Sequence, residues 1–470
     1  MTHDDFRRHA HQLVDWMADY LEHVRDYPVL PNVQPRDIIN QLPDAAPDQA
    51  ESFDQVVRDF QQLIMPGMTH WQHPSYFAYF PANSSPPSVL AEMLTATLAA
   101  QCMIWQTSPA AAELEEQMMV WLREMCGLPT QWTGVIQDTA STATLCSILM
   151  AREQYSEHGV NQRGLQGQPR MAVYCSAETH SSIEKAVRIA GLGSEYLRKI
   201  PVDDKFALRP DLLLEAIERD KAKGVVPLCA VATIGTTGST AIDPLRAMGE
   251  ICREHDVWLH VDAAFAGTAM LLPEMRWMID GAELADTYVF NPHKWMFTNF
   301  DCSAYFVRDP EALKSTFEIL PEYLKTERDR EVNNYRDWGI PLGRRFRALK
   351  LWFVVRSYGV DGLKDKVRHH IGMAQALSRE IEAAEDFEMM APAPLNLLCF
   401  RYHPQSTDDD IELDRLNANL LAELNQTGKM FATHTKLDGR YVIRLCIGQT
   451  QVTQADVDRA WDLIQRTARG

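Results

Sequence analysis

The first regular pattern along the chain is helical. Phe6, Ala10, Leu13, Met17, Leu21 and Val24 recur at three- and four-residue steps, and Pro28, Pro31 and Pro35 end the run. Nothing nearby offers this amphipathic helix an obvious partner, so its apolar face is expected to pack on a remote part of the chain or on a second subunit. Residues 66–87 are dense in aromatic residues and proline (Trp71, Tyr76, Phe77, Tyr79, Phe80, Pro81, Pro86, Pro87). They read as an ordered loop lining something, although such clusters more often form plain core.

The signal then alternates. Residues 114–126, 211–221 and 245–255 have helical spacing, while 172–175, 228–233, 257–261 and 287–290 are short apolar runs of strand length. Alternation of this kind predicts an α/β unit with a mostly parallel sheet, in which ligands sit at the carboxyl ends of the strands. Asp262 and Lys294 both fall at such ends. From about residue 346 the pattern changes to two long helical stretches, 346–358 and 363–384. Strands at 397–402 and 441–447 follow, with Asp438-Gly439 as a turn before the second, and a helix at 455–467 ends the pattern. Three parts are therefore expected: a helical N-terminal segment (1–85), a large α/β domain (86–345) and a smaller α+β domain (346–470). Residues 93–112 lack charge, but Thr95, Gln101, Gln106, Ser108 and Pro109 interrupt them, so they read as a buried segment and not a membrane span. The polar stretch 321–337 is either a solvated loop or a mobile lid.

Composition narrows the function classes. Of the 470 residues 46% are hydrophobic, and 11 Trp, 17 Phe and 14 Tyr supply core material, which rules out global disorder. A formal net charge of −18 argues against coating nucleic acid or an anionic membrane, though not against a small anion held locally. Nine cysteines without a CxxC pair suggest a reducing, cytoplasmic setting over a disulfide framework or zinc module. The opening MTHDDFRRHAHQ has no apolar core of a secretory signal.

Local chemistry comes next. In Asn291-Pro292-His293-Lys294-Trp295 an ammonium group is hemmed in directly after a buried strand. Burial lowers the pKa of a lysine, and a neutral amine condenses with aldehydes. The ordinary alternative is a lysine snorkelling from a strand end. In Leu259-His260-Val261-Asp262-Ala263-Ala264 a carboxylate ends an apolar strand, and a protonated pyridine nitrogen would serve as its partner. Asp138-Thr139-Ala140-Ser141-Thr142 opens a helix whose free N–H groups suit an anion such as phosphate, unless it is an ordinary cap. His180, in Thr179-His180-Ser181-Ser182, is able to stack on a pyridine face, and Gly235-Thr236-Thr237-Gly238 is a turn presenting hydroxyls. There is no GxxxxGK[ST], no complete dinucleotide fingerprint and no HExxH, and His369-His370 diverge on a helix, so no catalytic metal is expected.

With these residues in place the chain resembles the group II pyridoxal 5′-phosphate (PLP)-dependent amino-acid decarboxylases, most of all the aromatic-L-amino-acid branch acting on DOPA, tyrosine and tryptophan. The likeness runs from about residue 5 to about 465. It is carried by HWQHPSYFAYFP (70–81), SPAAAELE (108–115), DTASTATL (138–145), THSSIEKA (179–186), ATIGTTG (232–238), LHVDAAFAG (259–267), FNPHKW (290–295), NFDCSA (299–304) and WGIPLGRRFRALKLWF (338–353). The resemblance implies PLP fold type I, with a seven-stranded, mostly parallel sheet. It also implies a carboxy-lyase that is a cytoplasmic homodimer with active sites at the subunit interface, where the N-terminal segment clasps the partner.

The resemblance assigns roles as well. Lys294 would bind PLP covalently, Asp262 would pair with its pyridine nitrogen and His180 would stack on its ring. Ala140, Ser141 and Asn291 would hold the phosphate, with Ala264 and Thr237 also against the cofactor. Tyr323 matches the loop tyrosine that protonates the carbanion. Trp71, Tyr79, Phe80, Pro81 and Thr237 would line the substrate pocket, with Gln101 and Met103 supplied by the neighbouring subunit. Ala82 stands where several relatives carry a hydroxyl residue, which weakens a DOPA-specific reading. Gln101 and Met103 replace bulkier or more apolar residues, which suits a broad or indole-accepting pocket. The alternatives are an oxygen-dependent aromatic aldehyde synthase, whose members often lack the loop tyrosine or the stacking histidine, an acidic-amino-acid decarboxylase and an inert homodimeric scaffold.

Overall fold

The computed structural model of the chain describes residues 1–319, 328 and 331–470. By compactness these fall into two units. The larger takes in 82–375 and 391–398, the smaller 1–81, 376–390 and 399–470.

The larger unit is built on a seven-stranded sheet. Its strands are β1 (Thr133–Gln137), β2 (Met171–Ser176), β3 (Leu197–Ile200), β4 (Val226–Thr233), β5 (Trp258–Asp262), β6 (Thr287–Phe290) and β7 (Ser303–Val307), in the order β1-β7-β6-β5-β4-β2-β3. Neighbours pair in parallel from β3 through β2, β4 and β5 to β6, and β7 runs antiparallel to both β6 and β1. The central strands are apolar on both faces because both are covered, as parallel sheets require. The helix Ala140–Tyr155 packs across β1, β7, β6, β5 and β4. Since Thr233 registers with Asp262 and Phe290 with Ala304, the ends of β4, β5 and β6 and the start of β7 share one edge.

The expected α/β class, parallel sheet and fold type I are what is found. The strand expected at 257–261 includes Asp262 as its last residue. The two helices expected after residue 346 form one run, Arg347–Ala383, interrupted at Gly359 by a positive φ of 68°.

The expectation that 93–112 is a buried segment needs correcting. In the helix Pro86–Leu98, Leu90, Leu94 and Leu98 recur every four residues and stand 51%, 46% and 64% exposed. An uncharged sequence does not distinguish a face packed in the core from a face left for another surface. Among the described residues no helix is long and apolar enough to cross a membrane.

In the smaller unit β8 (Phe387–Met389), β9 (Leu397–Tyr402), β10 (Thr433–Leu437) and β11 (Arg440–Cys446) make a four-stranded sheet in the order β10-β11-β9-β8. Asp438 and Gly439 form the turn between β10 and β11, both at positive φ. The N-terminal segment belongs to this unit and not to a part of its own. The Val29 N–H donates to Gly428 O (2.8 Å), the Phe77 N–H to Phe431 O (2.8 Å) and the Cys446 N–H to Phe77 O (2.9 Å). The helix His3–Glu22, closed by a Thr2/Asp5 capping box, also has local partners. His9 lies 4.6 Å from Phe53 and Trp16 5.2 Å from Phe60 between ring centroids, and the Tyr20 hydroxyl is 2.9 Å from His70 Nδ1.

Candidate active site

The strand-end edge of the larger unit gathers most of the residues singled out in the sequence. Asp262 is buried, and its Oδ1 accepts the Ala264 N–H at 3.0 Å. Its own backbone carbonyl accepts the Ile234 N–H at 2.9 Å, tying β5 to the turn after β4. Ala264 in turn accepts the Asn291 N–H at 2.9 Å, so the ends of β5 and β6 are linked through main chain.

Lys294 lies in the short helical turn Pro292–Trp295, where its N–H donates to Asn291 O at 2.9 Å and its carbonyl accepts the Asn83 N–H at 3.4 Å. It is half-buried, while Pro292, His293, Trp295 and Met296 around it are fully buried. His293 Nδ1 accepts the Cys302 N–H at 2.9 Å. The Trp295 indole stacks on Phe265 at 4.9 Å and donates to His370 Nδ1 at 2.9 Å. His370 therefore acts as an acceptor in the packing behind the lysine.

His180 follows the end of β2, with Nδ1 2.8 Å from Ser182 Oγ and accepting the Ser182 N–H at 3.1 Å. Part of the side chain reaches solvent, and the atoms around the rest desolvate it. That desolvation lowers its pKa, with the Asp262 charge opposing and the Lys294 charge reinforcing the shift. The Asp262 carboxylate and the Lys294 amine thus both lie within electrostatic reach of the His180 imidazole.

Thr237 is exposed on the turn after β4. At Gly235 φ is +85° and an added Cβ would sit 2.7 Å from Ala266 Cβ, so only glycine fits this approach. The buried Asp243 carboxyl fastens the base of the turn, accepting the Thr233 and Leu208 N–H groups at 2.8 Å each, and burial pushes its pKa up to about 7.

The other end of the site is the start of the helix Ala140–Tyr155. Thr139 caps it, accepting the Thr142 N–H at 3.4 Å, and Ala140 and Ser141 occupy its first turn. The Ser303 hydroxyl donates to Asn291 Oδ1 at 2.6 Å and lies 3.3 Å from Asp138 O. This turns the Asn291 amide N–H groups away from Ser303. Asp138 Oδ1 is buried with no hydrogen-bond partner among the described residues. An amine and a carboxylate at strand ends, an imidazole beside them, and the backbone N–H groups of a helix N-terminus make a set that fits a phosphorylated, aldehyde-bearing pyridine.

The expected pocket residues divide between the two units. Trp71, Tyr79, Phe80 and Pro81 belong to the smaller one, where Trp71 meets Tyr76 (4.5 Å) and Tyr79 (6.1 Å), and the Arg444 guanidinium lies 5.4 Å over Phe80. Ala82, Gln101 and Met103 belong to the larger. Gln101 Oε1 accepts the Arg344 N–H at 2.6 Å, and Met103 O accepts the Arg336 N–H at 2.8 Å. Tyr323 lies outside the described residues.

Sequence reasoning missed one buried ion pair of the larger unit. Glu115 and Arg344 form a buried ion pair at 2.5 Å, and both also bond to the Ile136 peptide group. Glu115 is one of two glutamates in SPAAAELE and Arg344 one of three arginines in WGIPLGRRFRALKLWF, so nothing in the sequence singles out the pair.

Burial also depresses the pKa of His260 to about 4 and that of His293 to about 3. An unfolded histidine titrates near 6.5, so below that pH the unfolded chain takes up protons that the native chain refuses. Stability is expected to be full above about pH 6.5 and to fall by up to about 1.4 kcal/mol per pH unit for each histidine as acid is added, levelling below the folded values. Urea unfolding across pH 7 to 4.5 measures this slope. It should be shallower in His293→Gln, and an unchanged slope would contradict the assignment.

Residues 35–403 match the model of the pyridoxal-dependent decarboxylase conserved domain. The chain is similar to phenylacetaldehyde synthase of Arabidopsis thaliana, at 42% identity over 100% of this chain and 96% of that protein. It is similar to tyrosine decarboxylase 2 of Narcissus pseudonarcissus, at 41% identity over 100% and 95%. Among solved structures, Oryza sativa TDC with PLP and tryptamine superposes with a TM-score of 0.97 at 36% identity, covering 100% of this chain and 98% of that one.

Proposed function

From the premise that this chain belongs to the pyridoxal-dependent decarboxylase family, we propose that it uses PLP to convert an aromatic L-amino acid into the corresponding arylalkylamine and carbon dioxide. The observation that carries this reading is the sheet edge at which β5 ends in Asp262 and β6 leads into Lys294, joined through Asn291 and Ser303 to the start of the helix Ala140–Tyr155. The aromatic substrate class is supported by the tyrosine decarboxylase likeness and by tryptamine in the rice structure.

When bound, the cofactor supplies an electron-accepting ring for the pair left by the broken bond between Cα and the carboxylate. The residues around it do the rest. Lys294 holds the cofactor covalently through Nζ. Asp262 keeps a proton on the ring nitrogen, and its geometry suits that role because Ala264 fixes one carboxylate oxygen. His180 stacks on the ring, with Ala264 and Thr237 also against it, and Ala140, Ser141 and Asn291 hold the phosphate. Tyr323 delivers the proton to Cα of the product, worth about 10²–10⁴-fold in rate for a correctly placed group. Ala82 and Thr237, both of the larger unit, face the substrate side chain in this proposal, with Gln101 and Met103 supplied by the second copy.

The likeness to a phenylacetaldehyde synthase favours one second reading, oxygen-dependent conversion to an aldehyde. The retained Tyr323 and His180 favour plain decarboxylation. Incubation of the PLP-loaded protein with tryptophan, tyrosine, DOPA, phenylalanine and histidine separates the two. Decarboxylation yields amine equal to carbon dioxide without oxygen uptake, whereas stoichiometric ammonia and peroxide would establish the aldehyde reaction.

The enzyme works as a homodimer in this proposal, with a second copy covering the exposed stripe Leu90, Leu94 and Leu98. Leu94→Glu places a charge in that contact. It is expected to shift the sedimenting species toward the monomer and to lower activity in parallel, and an unchanged mass would count against this surface. Nine buried cysteines fit residence in a reducing cytoplasm.

A further inference from the structure

His260 has no role in the chemistry above, yet it sits at the centre of a buried hydrogen-bond chain. Its Nε2 is 3.1 Å from Thr144 Oγ1 and its Nδ1 2.9 Å from Thr287 Oγ1. Thr287 Oγ1 is 2.7 Å from Ser147 Oγ, which accepts the Trp258 Nε1–H at 2.9 Å. His260, Thr144, Ser147 and Thr287 are all fully buried, so bulk solvent reaches none of them.

The placement of these groups gives the chain its meaning. On β5, side chains alternate, so Trp258, His260 and Asp262 point to one face. On the helix, Ala140, Thr144 and Ser147 are spaced by four and three residues and share the face turned to the sheet. Thr287 is the direct neighbour of His260 in the β5–β6 pairing. The helix whose first turn offers the phosphate cradle is thus fastened at two points, one turn apart, to the strands that end in Asp262 and lead into Asn291. The ring is also backed by Tyr305 at 6.4 Å, edge to face, which restricts its tilt.

We propose that His260 is a positioning residue: with Thr144, Thr287 and Ser147 it braces the helix Ala140–Tyr155 against β5 and fixes the span between the phosphate cradle and the Asp262 carboxylate. This rests on the PLP reading of the site and deepens it. A ligand gripped at both ends gains from a matched span, because the second contact then needs no rearrangement. A brace that slackens leaves each subsite intact and removes only that joint gain.

The experiment follows from this distinction. Apoprotein is titrated, by quenching of its tryptophan fluorescence, with PLP, with pyridoxal lacking the phosphate and with inorganic phosphate. In Thr144→Val, which removes one hydroxyl at nearly constant volume and leaves a buried partner unsatisfied, PLP affinity is expected to fall about tenfold or more. Pyridoxal and phosphate taken singly should change less than about twofold, in keeping with additivity at separate sites. Thr144→Ser, which keeps the hydroxyl, should restore the wild-type value. Equal weakening of PLP and pyridoxal would mean a general structural role and overturn the brace. So would a selective loss for inorganic phosphate, which would put Thr144 in the cradle itself, or no change at all. Where Thr144→Val lacks a cooperative thermal transition, Ser147→Ala cuts the same chain one turn further on and is read by the same criteria. Failure of the wild-type protein to bind PLP would instead refute the cofactor reading.

Discussion

Lys294→Ala is expected to abolish turnover, with a loss on the order of 10⁴–10⁶-fold, the scale seen when a covalent catalytic group is deleted. The expectation comes from the surroundings of the side chain. The Pro292–Trp295 turn is locked in place by Asn291 O, Asn83 N–H and the stack of Trp295 on Phe265, so the backbone delivers Nζ to one place. Lys294→Arg is the informative control. It keeps the positive charge felt by His180, but a guanidinium does not surrender its proton to become a nucleophile. Both variants should therefore be inactive while only Ala loses the charge. Borohydride makes the covalent attachment permanent, and a mass increment on the peptide containing position 294 should appear in wild type and in neither variant. Retained turnover in Lys294→Ala, or an increment on another lysine, would remove the basis of the proposed function.

The central strands were legible in the sequence for the same reason that they carry the site. β4, β5 and β6 are covered on both faces, so their apolar runs are nearly unbroken, and the first polar residue after or at the end of each run marks the edge where chemistry happens. Asp262 was found in this way, and Lys294 from its place four residues after β6, between an imidazole and an indole. β3 (Leu-Arg-Lys-Ile) and β10 (Thr-His-Thr-Lys-Leu) lie at sheet edges, where polar side chains face solvent, and their sequences carry no run to detect. β7 reads as apolar, but its antiparallel sense depends on a connection that periodicity does not report. Long-range polar partners were hidden for a different reason. Glu115 meets Arg344, and His260 meets Thr144 and Thr287, across distances in sequence that only the fold closes. A histidine two residues before Asp262 on a buried strand was visible, but its hydroxyl partners were not.

Asp262 gives the second large effect. Its Oδ1 is held by the Ala264 N–H, and the carboxyl sits at the last position of a buried strand, so substitution changes its charge without freeing it to move. Asp262→Asn preserves the shape, yet it presents an amide N–H₂ where a carboxylate stood. A donor facing the ring nitrogen favours the unprotonated ring, and the electron sink is lost with the proton. A fall in kcat of about 10²–10⁴-fold is expected, the range for removing a well-placed proton-holding group. Asp262→Ala should behave similarly, with KM for the amino acid little changed because the carboxylate does not face the substrate. The decisive measurement is chemical rescue. Cofactor methylated on the ring nitrogen carries a permanent positive charge and does not depend on the aspartate to keep it. Reconstituted with it, Asp262→Ala should recover part of the lost rate, whereas Lys294→Ala should recover none. If the methylated cofactor helps neither variant although it binds both, Asp262 acts by some means other than holding the ring charge. If wild-type enzyme and Asp262→Ala turn over equally fast with ordinary PLP, the buried carboxylate at the end of β5 has no part in the reaction.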